Sequence, residues 1–316
     1  KRQMEVLAEW ERRLIAGFIV NKFRGQASLL ESAHAYVKNH TGREVMGVIP
    51  YLSDLGLPEE DSVSFKKGIF NRERQRQDSV DIVIVNLPHI SNFTDIEPFL
   101  GEPDVNIRVV NKGCEVGNPQ AIILPGSKNV IHDLQFLKAE GFGEVINKNI
   151  KRGCEIVGIC GGYQMLGDTI SDPYNIESAA GQIQGLGYLN LTTTISQSKR
   201  LTRVKGVHKI SGNTVYGYEI HHGISTESGN PLFVFDDKSA CGTADADGQI
   251  WGCYLHGVFD SDDFRRWFID GLRLKADLPP VGKIIAPYDL EIAFDRLADC
   301  VRENVDMNAV YRMLHI

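Results

Sequence analysis

From Val80 the chain repeats one pattern: a short, almost wholly apolar run, a polar turn, then a helix-length stretch. The runs are VDIVIVNL (Val80–Leu87), VNIRVV (Val105–Val110), AIILPG (Ala121–Gly126) and EIVGIC (Glu155–Cys160), with helices expected near Asp95–Leu100 and over Asn129–Arg152 and Gly162–Asp168. A strand with one wet face alternates apolar and polar residues, whereas uninterrupted apolar runs between helices call for a parallel sheet covered on both faces. The feature restricts this part of the chain to an α/β fold with a mostly parallel sheet flanked by helices. It also places any ligand beyond the carboxyl ends of the strands. Between Gly185 and Tyr254 the pattern changes to GLGYLNLTTTI, VYGYEIHH and PLFVFDD, which predict an antiparallel extension. Helices over Asp262–Lys275 and Pro287–Leu314 close the chain.

The first residues read differently. A helix (Lys1–Arg13), a strand (Leu14–Phe23), a helix (Ser28–Asn39) and a strand (Glu44–Leu52) make an α/β repeat too small to form a sheet by itself. Residues 1–70 are therefore expected to be the truncated end of a larger α/β domain with its linker, and residues 80–316 a second domain. The polar stretch from Pro58 through NRERQRQDS (Asn71–Ser79) is expected to be a linker or a solvated helix.

Charge and composition exclude several function classes. A formal net charge of -7, with Lys and Arg scattered among acids, leaves no basic field for nucleic acid. No apolar run approaches the ~18 residues of a membrane span, and the charged N-terminus has no signal-type core, so a cytoplasmic location is expected. The six cysteines show no C-x-x-C spacing and are expected to be free thiols. Five of them fit as small buried hydrophobes. The sequence is compatible with a homo-oligomer without specifying one.

Cys160 is the exception. In IVGICGGYQML (Ile156–Leu166) an apolar strand runs directly into Cys160 and two glycines before a helix. A nucleophile held on a sharp strand-to-helix turn needs neighbours without side chains, which Gly161 and Gly162 provide. The helix N-terminus favours the thiolate that attacks carbonyl carbon. A base must take the thiol proton and return it to the leaving group. His256, between the apolar strand IWGCYL and GVFDS, is the candidate. Negative charge developing on the attacked oxygen calls for backbone N–H donors. Gly161 is one, and the strand-end loop LPGSKN offers Gly126 or Ser127 as another. His221 and His222 are adjacent and would point to opposite faces of a strand, so no metal site is expected.

Taken together, LPGSKN, GICGGYQMLG, GYEIHHG and YLHGVFDS resemble the class I glutamine amidotransferase domain in the variant found in the cobyric acid synthase family of cobalamin biosynthesis. The N-terminal strings GFIVNKFRG, TGREVMGVIPYL and LPEEDS resemble the end of that family's ATP-binding synthetase domain, which is similar to dethiobiotin synthetase. The resemblance implies a glutaminase in which Cys160 attacks the side-chain amide of glutamine, with His256 as base. The ammonia released would serve ATP-dependent amidation of peripheral carboxylates on adenosylcobyrinic acid a,c-diamide.

Two departures stand out. Ordinary class I glutaminases carry a Glu two residues after the His, where this chain has Val258; Glu219 or His221 could instead orient His256 or hold the substrate glutamine. No G-x-x-x-x-G-K-[ST] phosphate loop occurs. This chain alone is therefore expected to bind no cofactor, with ATP, Mg2+ and the corrinoid substrate belonging to the full-length enzyme; Asn21 and Lys22 are the residues here that would contact the nucleotide base. The competing readings are the glutaminase of cobyrinic acid a,c-diamide synthase or of a ligase amidating a cell-wall precursor, and a non-catalytic binding module of the same fold.

Overall fold

In a computed structural model the described residues are 2–52, 57, 78–227 and 231–315. They fall into two compact units, residues 1–57 with 289–316, and residues 58–288. The sequence expectation ran the second domain on to residue 316, but the closing helices pack with the first unit, where Gly47 bridges Val305. A Cβ at Gly47 would lie 2.4 Å from the Asn304 carbonyl oxygen, so only glycine allows that approach.

In the first unit, β1 (Phe18–Phe23) and β2 (Val45–Pro50) pair in parallel, with the helix Glu31–Thr41 between them in sequence. Gly42, at φ 69°, ends that helix in the left-handed conformation. The single helix expected over Lys1–Arg13 is broken into Arg2–Val6 and Glu9–Leu14. The closing helix is likewise two, Glu291–Asn304 and Met307–Leu314. Asp306 starts the second by accepting a hydrogen bond from the Ala309 amide at 3.0 Å. The expected linker, apart from Asp78 and Ser79, lies outside the described residues.

The second unit is built on the predicted parallel strands β3 (Val80–Val85), β5 (Val105–Val110), β6 (Ala121–Leu124) and β8 (Glu155–Ile159), with β4 (Ile90–Ser91) and β7 (Gly126–Ser127) forming a separate antiparallel pair. These are followed by β9 (Thr169–Ser171), β10 (Gln182–Gln184), β11 (Leu191–His208), β12 (Thr214–Glu227), β13 (Phe233–Phe235), β14 (Ala240–Cys241), β15 (Thr243–Ala244), β16 (Ile250–Cys253) and β17 (Leu255–His256). The central sheet has the order β15-β16-β8-β6-β3-β5 and is parallel throughout except for β15. Every residue of β6, β8 and β16 is buried, which is why their sequences carry no alternation. The predicted antiparallel extension is a second sheet, β10-β9-β11-β12-β17, with β13 and β14 alongside. Its long strand β11 alternates in and out at both ends, over 191–195 and 203–208, as a half-wet sheet does.

The helices expected over 129–152 are Val130–Ala139 and Phe142–Ile150, divided at Gly141, φ 75°. The helix Asp262–Lys275 buries three arginines, each held by acids: Arg265 and Arg266 on Glu102, Arg266 and Arg273 on Asp104. No described helix is long and apolar enough to cross a membrane.

Candidate active site

Four neighbouring strands, β16, β8, β6 and β3, deliver their carboxyl ends to one place. From β8 the chain enters Cys160, whose φ of 50° and ψ of -104° put a non-glycine residue in a strained conformation at the start of the helix Gly161–Leu166. The Cys160 amide donates to the Cys253 carbonyl (2.8 Å), anchoring the turn to β16. The two glycines behave as expected: a Cβ on Gly162 would sit 1.9 Å from the Leu124 carbonyl oxygen, and one on Gly161 2.7 Å from the Ser127 amide nitrogen. The turn carrying Cys160 and the turn after β6 are therefore in direct backbone contact.

His256 follows β16 and is fully buried. Its Nδ1 lies 2.8 Å from Asp95 Oδ2, and the Gly257 amide donates to Asp95 Oδ1 at 2.8 Å, so the carboxylate fixes both the ring and the turn that bears it. Since a carboxylate only accepts, Nδ1 carries a proton and Nε2 is left for Cys160. The Asn92 side-chain amide stands 3.0 Å from Nε2, and Tyr218 stacks on the ring. Burial by itself would depress the imidazole. The charge and hydrogen bond of Asp95, with those of Cys160, outweigh it and raise His256 to about 10. At neutral pH the imidazole is therefore protonated.

Asp95 is the residue that sequence reasoning missed. It lies in the 3-10 helix Phe93–Gly101 after β4, 161 positions before His256, where the acidic loop was visible but nothing linked it to the histidine. Of the two residues expected as possible orienters, Glu219 pairs with Arg200 at 2.7 Å and His221 Nδ1 donates to the Gly223 carbonyl at 2.7 Å. Neither is hydrogen-bonded to His256: Asp95 already occupies Nδ1. Val258, where other class I enzymes place a Glu, is wholly buried in the core.

A cavity of about 310 Å³ opens over Cys160 and Gly161, lined also by Asn92, Ser127, Glu177 and His221. His221 is neutral there, because burial drives it down to about 4, and its Nε2 has no hydrogen-bond partner among the described residues. Glu177, whose Oε2 accepts the Val130 amide at 2.7 Å, is pushed up to about 7 by burial. Glu219 instead faces an adjoining cavity of about 450 Å³ that shares the His221 wall. Gly126 and Ser127 form β7, which pairs with β4. Gly126 is so close to the histidine that a Cβ would meet His256 Cε1 at 3.1 Å. The Ser127 hydroxyl donates to the buried carboxylate of Asp133 at 2.6 Å, and Asp133 also accepts from the His89 amide, so one carboxylate ties both loops down. Asn21 and Lys22 are exposed residues of β1 in the first unit and do not line this cavity.

Residues 81–264, more than half of the chain, match the model of the CobB/CobQ-like glutamine amidotransferase domain. The chain belongs to the CobB/CobQ-like glutamine amidotransferase family. Among curated relatives, the cobyric acid synthase of Nitratidesulfovibrio vulgaris is 44% identical over 98% of this chain and 65% of its own length. The adenosylcobalamin biosynthesis bifunctional protein CobDQ of Leptospira interrogans is 43% identical over 98% of this chain and 36% of its own. The chain thus spans less than two thirds of either relative. A solved glutamine amidotransferase aligns with 60% of the chain at 16% identity and a TM-score of 0.46. Family membership makes the chain an enzyme domain.

Proposed function

We propose that the second unit is the glutaminase of a cobyric acid synthase. The observation that carries the reading is the buried line Asp95–His256 beside Cys160, at a cavity lined also by Gly161 and Ser127. Cys160 Sγ attacks the side-chain carbonyl carbon of glutamine, and the oxyanion is received by the Gly161 and Ser127 amides. As the C–N bond breaks, the imidazolium gives its proton to the departing ammonia, leaving a thioester. Water then attacks the thioester while His256 takes its proton, and glutamate leaves with Cys160 restored. Asp95 touches no reacting atom and is a positioning residue that keeps the ring's proton on Nδ1 and favours the imidazolium.

In the whole protein the ammonia would amidate peripheral carboxylates of adenosylcobyrinic acid a,c-diamide, with ATP and Mg2+ used to activate each carboxylate as an acyl phosphate. The support is the relatedness to proteins of that name together with the resemblance of residues 1–57 to the end of a synthetase domain. No phosphate-binding step is assigned to this chain, since it carries no phosphate loop and Asn21 and Lys22 alone would supply only base contacts. Six free cysteines suit the reducing cytoplasm.

The test is covalent labelling with a diazoketone analogue of glutamine, mapped by peptide mass spectrometry. Labelling confined to Cys160 and blocked by glutamine supports the assignment. A folded protein that stays unlabelled, both alone and in the full-length enzyme, overturns it.

A further inference from the structure

Beside the Ser127 turn, and outside the cavity over Cys160, two histidines converge on one carboxylate. Asp133 is wholly buried in the first turn of the helix Val130–Ala139, and its Oδ1 lies 2.8 Å from His89 Nδ1 and 3.7 Å from His132 Nδ1. The His89 and His132 rings meet edge-on with centroids 4.8 Å apart, and their side chains are 41% and 56% exposed. All three donor atoms lie within 4.8 Å of one another. A tetrahedral ion with ligands at about 2.0–2.1 Å holds its donors about 3.3 Å apart. Two of the separations here bracket that value, and the remaining gap closes when the exposed His132 ring turns.

We propose that His89, His132 and Asp133 form a binding site for a divalent transition-metal ion of the zinc class. Two imidazoles with one carboxylate suit such an ion over Ca2+ or Mg2+, which prefer all-oxygen shells, and water would complete the coordination. The supporting contacts are already in place. Asn129 Oδ1 accepts the His132 amide at 3.1 Å and fixes the helix start, the His89 amide donates to the Asp133 carboxylate at 3.2 Å, and Ser127 Oγ donates to Asp133 Oδ2. On binding, the ion replaces the proton between His89 Nδ1 and Asp133 Oδ1. Its charge then competes with the Ser127 hydroxyl for the same carboxylate. The glutaminase chemistry uses neither histidine, so the site is independent of that reading.

The experiment is a titration with Co2+ in the Cys114→Ala/Cys160→Ala protein, which removes the exposed thiol and the thiol in the cavity as competing ligands, followed by optical absorption and then displacement with Zn2+. One equivalent giving the intense visible bands of low-coordinate cobalt, weakened at least tenfold by His132→Ala and unaffected by His222→Ala, is the expected result. His132 is half-exposed, so its variant should melt at the same temperature as the parent without metal. No such bands at millimolar Co2+, or bands that survive His132→Ala, overturn the proposal.

Discussion

The strands of the two units differ in how deeply they lie. In the second unit β6, β8 and β16 are buried at every residue, while β1 and β2 have no buried residue and the described part of the first unit buries only Ala293, Cys300 and Val305. The ion pairs follow the same division. Arg265 and Glu102 meet with both side chains almost fully enclosed, whereas Arg302 and Asp299 pair at 62% and 67% exposure. A core that excludes water holds paired charges in place; a half-wet pair of strands does not. The candidate site, with its strained cysteine and buried imidazolium, is found in the unit able to hold it.

The sharpest challenge to that division is chemical. Cys160→Ala is expected to reduce glutamine hydrolysis to background, measured as glutamate release, with the fold intact by circular dichroism. Asp95→Asn is isosteric and should lower kcat by about 10²- to 10⁴-fold with KM little changed, since the histidine loses the partner that fixes its tautomer.

The same variant tests the pH linkage. His256 is raised to about 10, so its contribution to stability is fully present below the ordinary histidine value near 6.5 and is lost as pH rises through about 10. In Asp95→Asn the loss should begin at lower pH, read as the difference between the urea midpoints of the two proteins across the alkaline range. Coincident curves would remove Asp95 as the source of the shift.

Amide hydrogen exchange compares the two units directly. Amides of β6 and β8 should exchange orders of magnitude more slowly than those of β1 and β2, because exchange in a deep core follows global unfolding. Equal protection would contradict the comparison. Glu102→Gln strips a partner from two buried arginines and should cost about 3–5 kcal/mol in urea denaturation, whereas Arg302→Ala should cost ~0.5 kcal/mol or less.

Much of this organisation was legible in the sequence. The uninterrupted apolar runs specified the parallel strands, and the strand–Cys–Gly–Gly–helix string located the sharp turn, because burial on both faces and crowding against Leu124 leave a local signature. The partner of His256 left none. Asp95 reaches it only because β3 and β16 end on the same side of the sheet, and an aspartate in an acidic loop looks like any solvated acid until that closure is known. Glu219 was conspicuous because it sits two residues before His221 in a histidine-bearing strand, yet its pairing with Arg200 depends on the register of β11 against β12, which sequence patterning does not state.

The candidate site draws on strand ends that the ribosome delivers far apart in time. Asp95 and Cys160 both emerge well before His256, which Asp95 meets only across 161 positions of sequence. Until β16 has been made and has docked beside β8, Cys160 has no imidazole to take its proton and no enclosed cavity around it. In a nascent or partly unfolded chain Cys160 therefore stands apart from His256, and the pair comes into being only with the completed sheet.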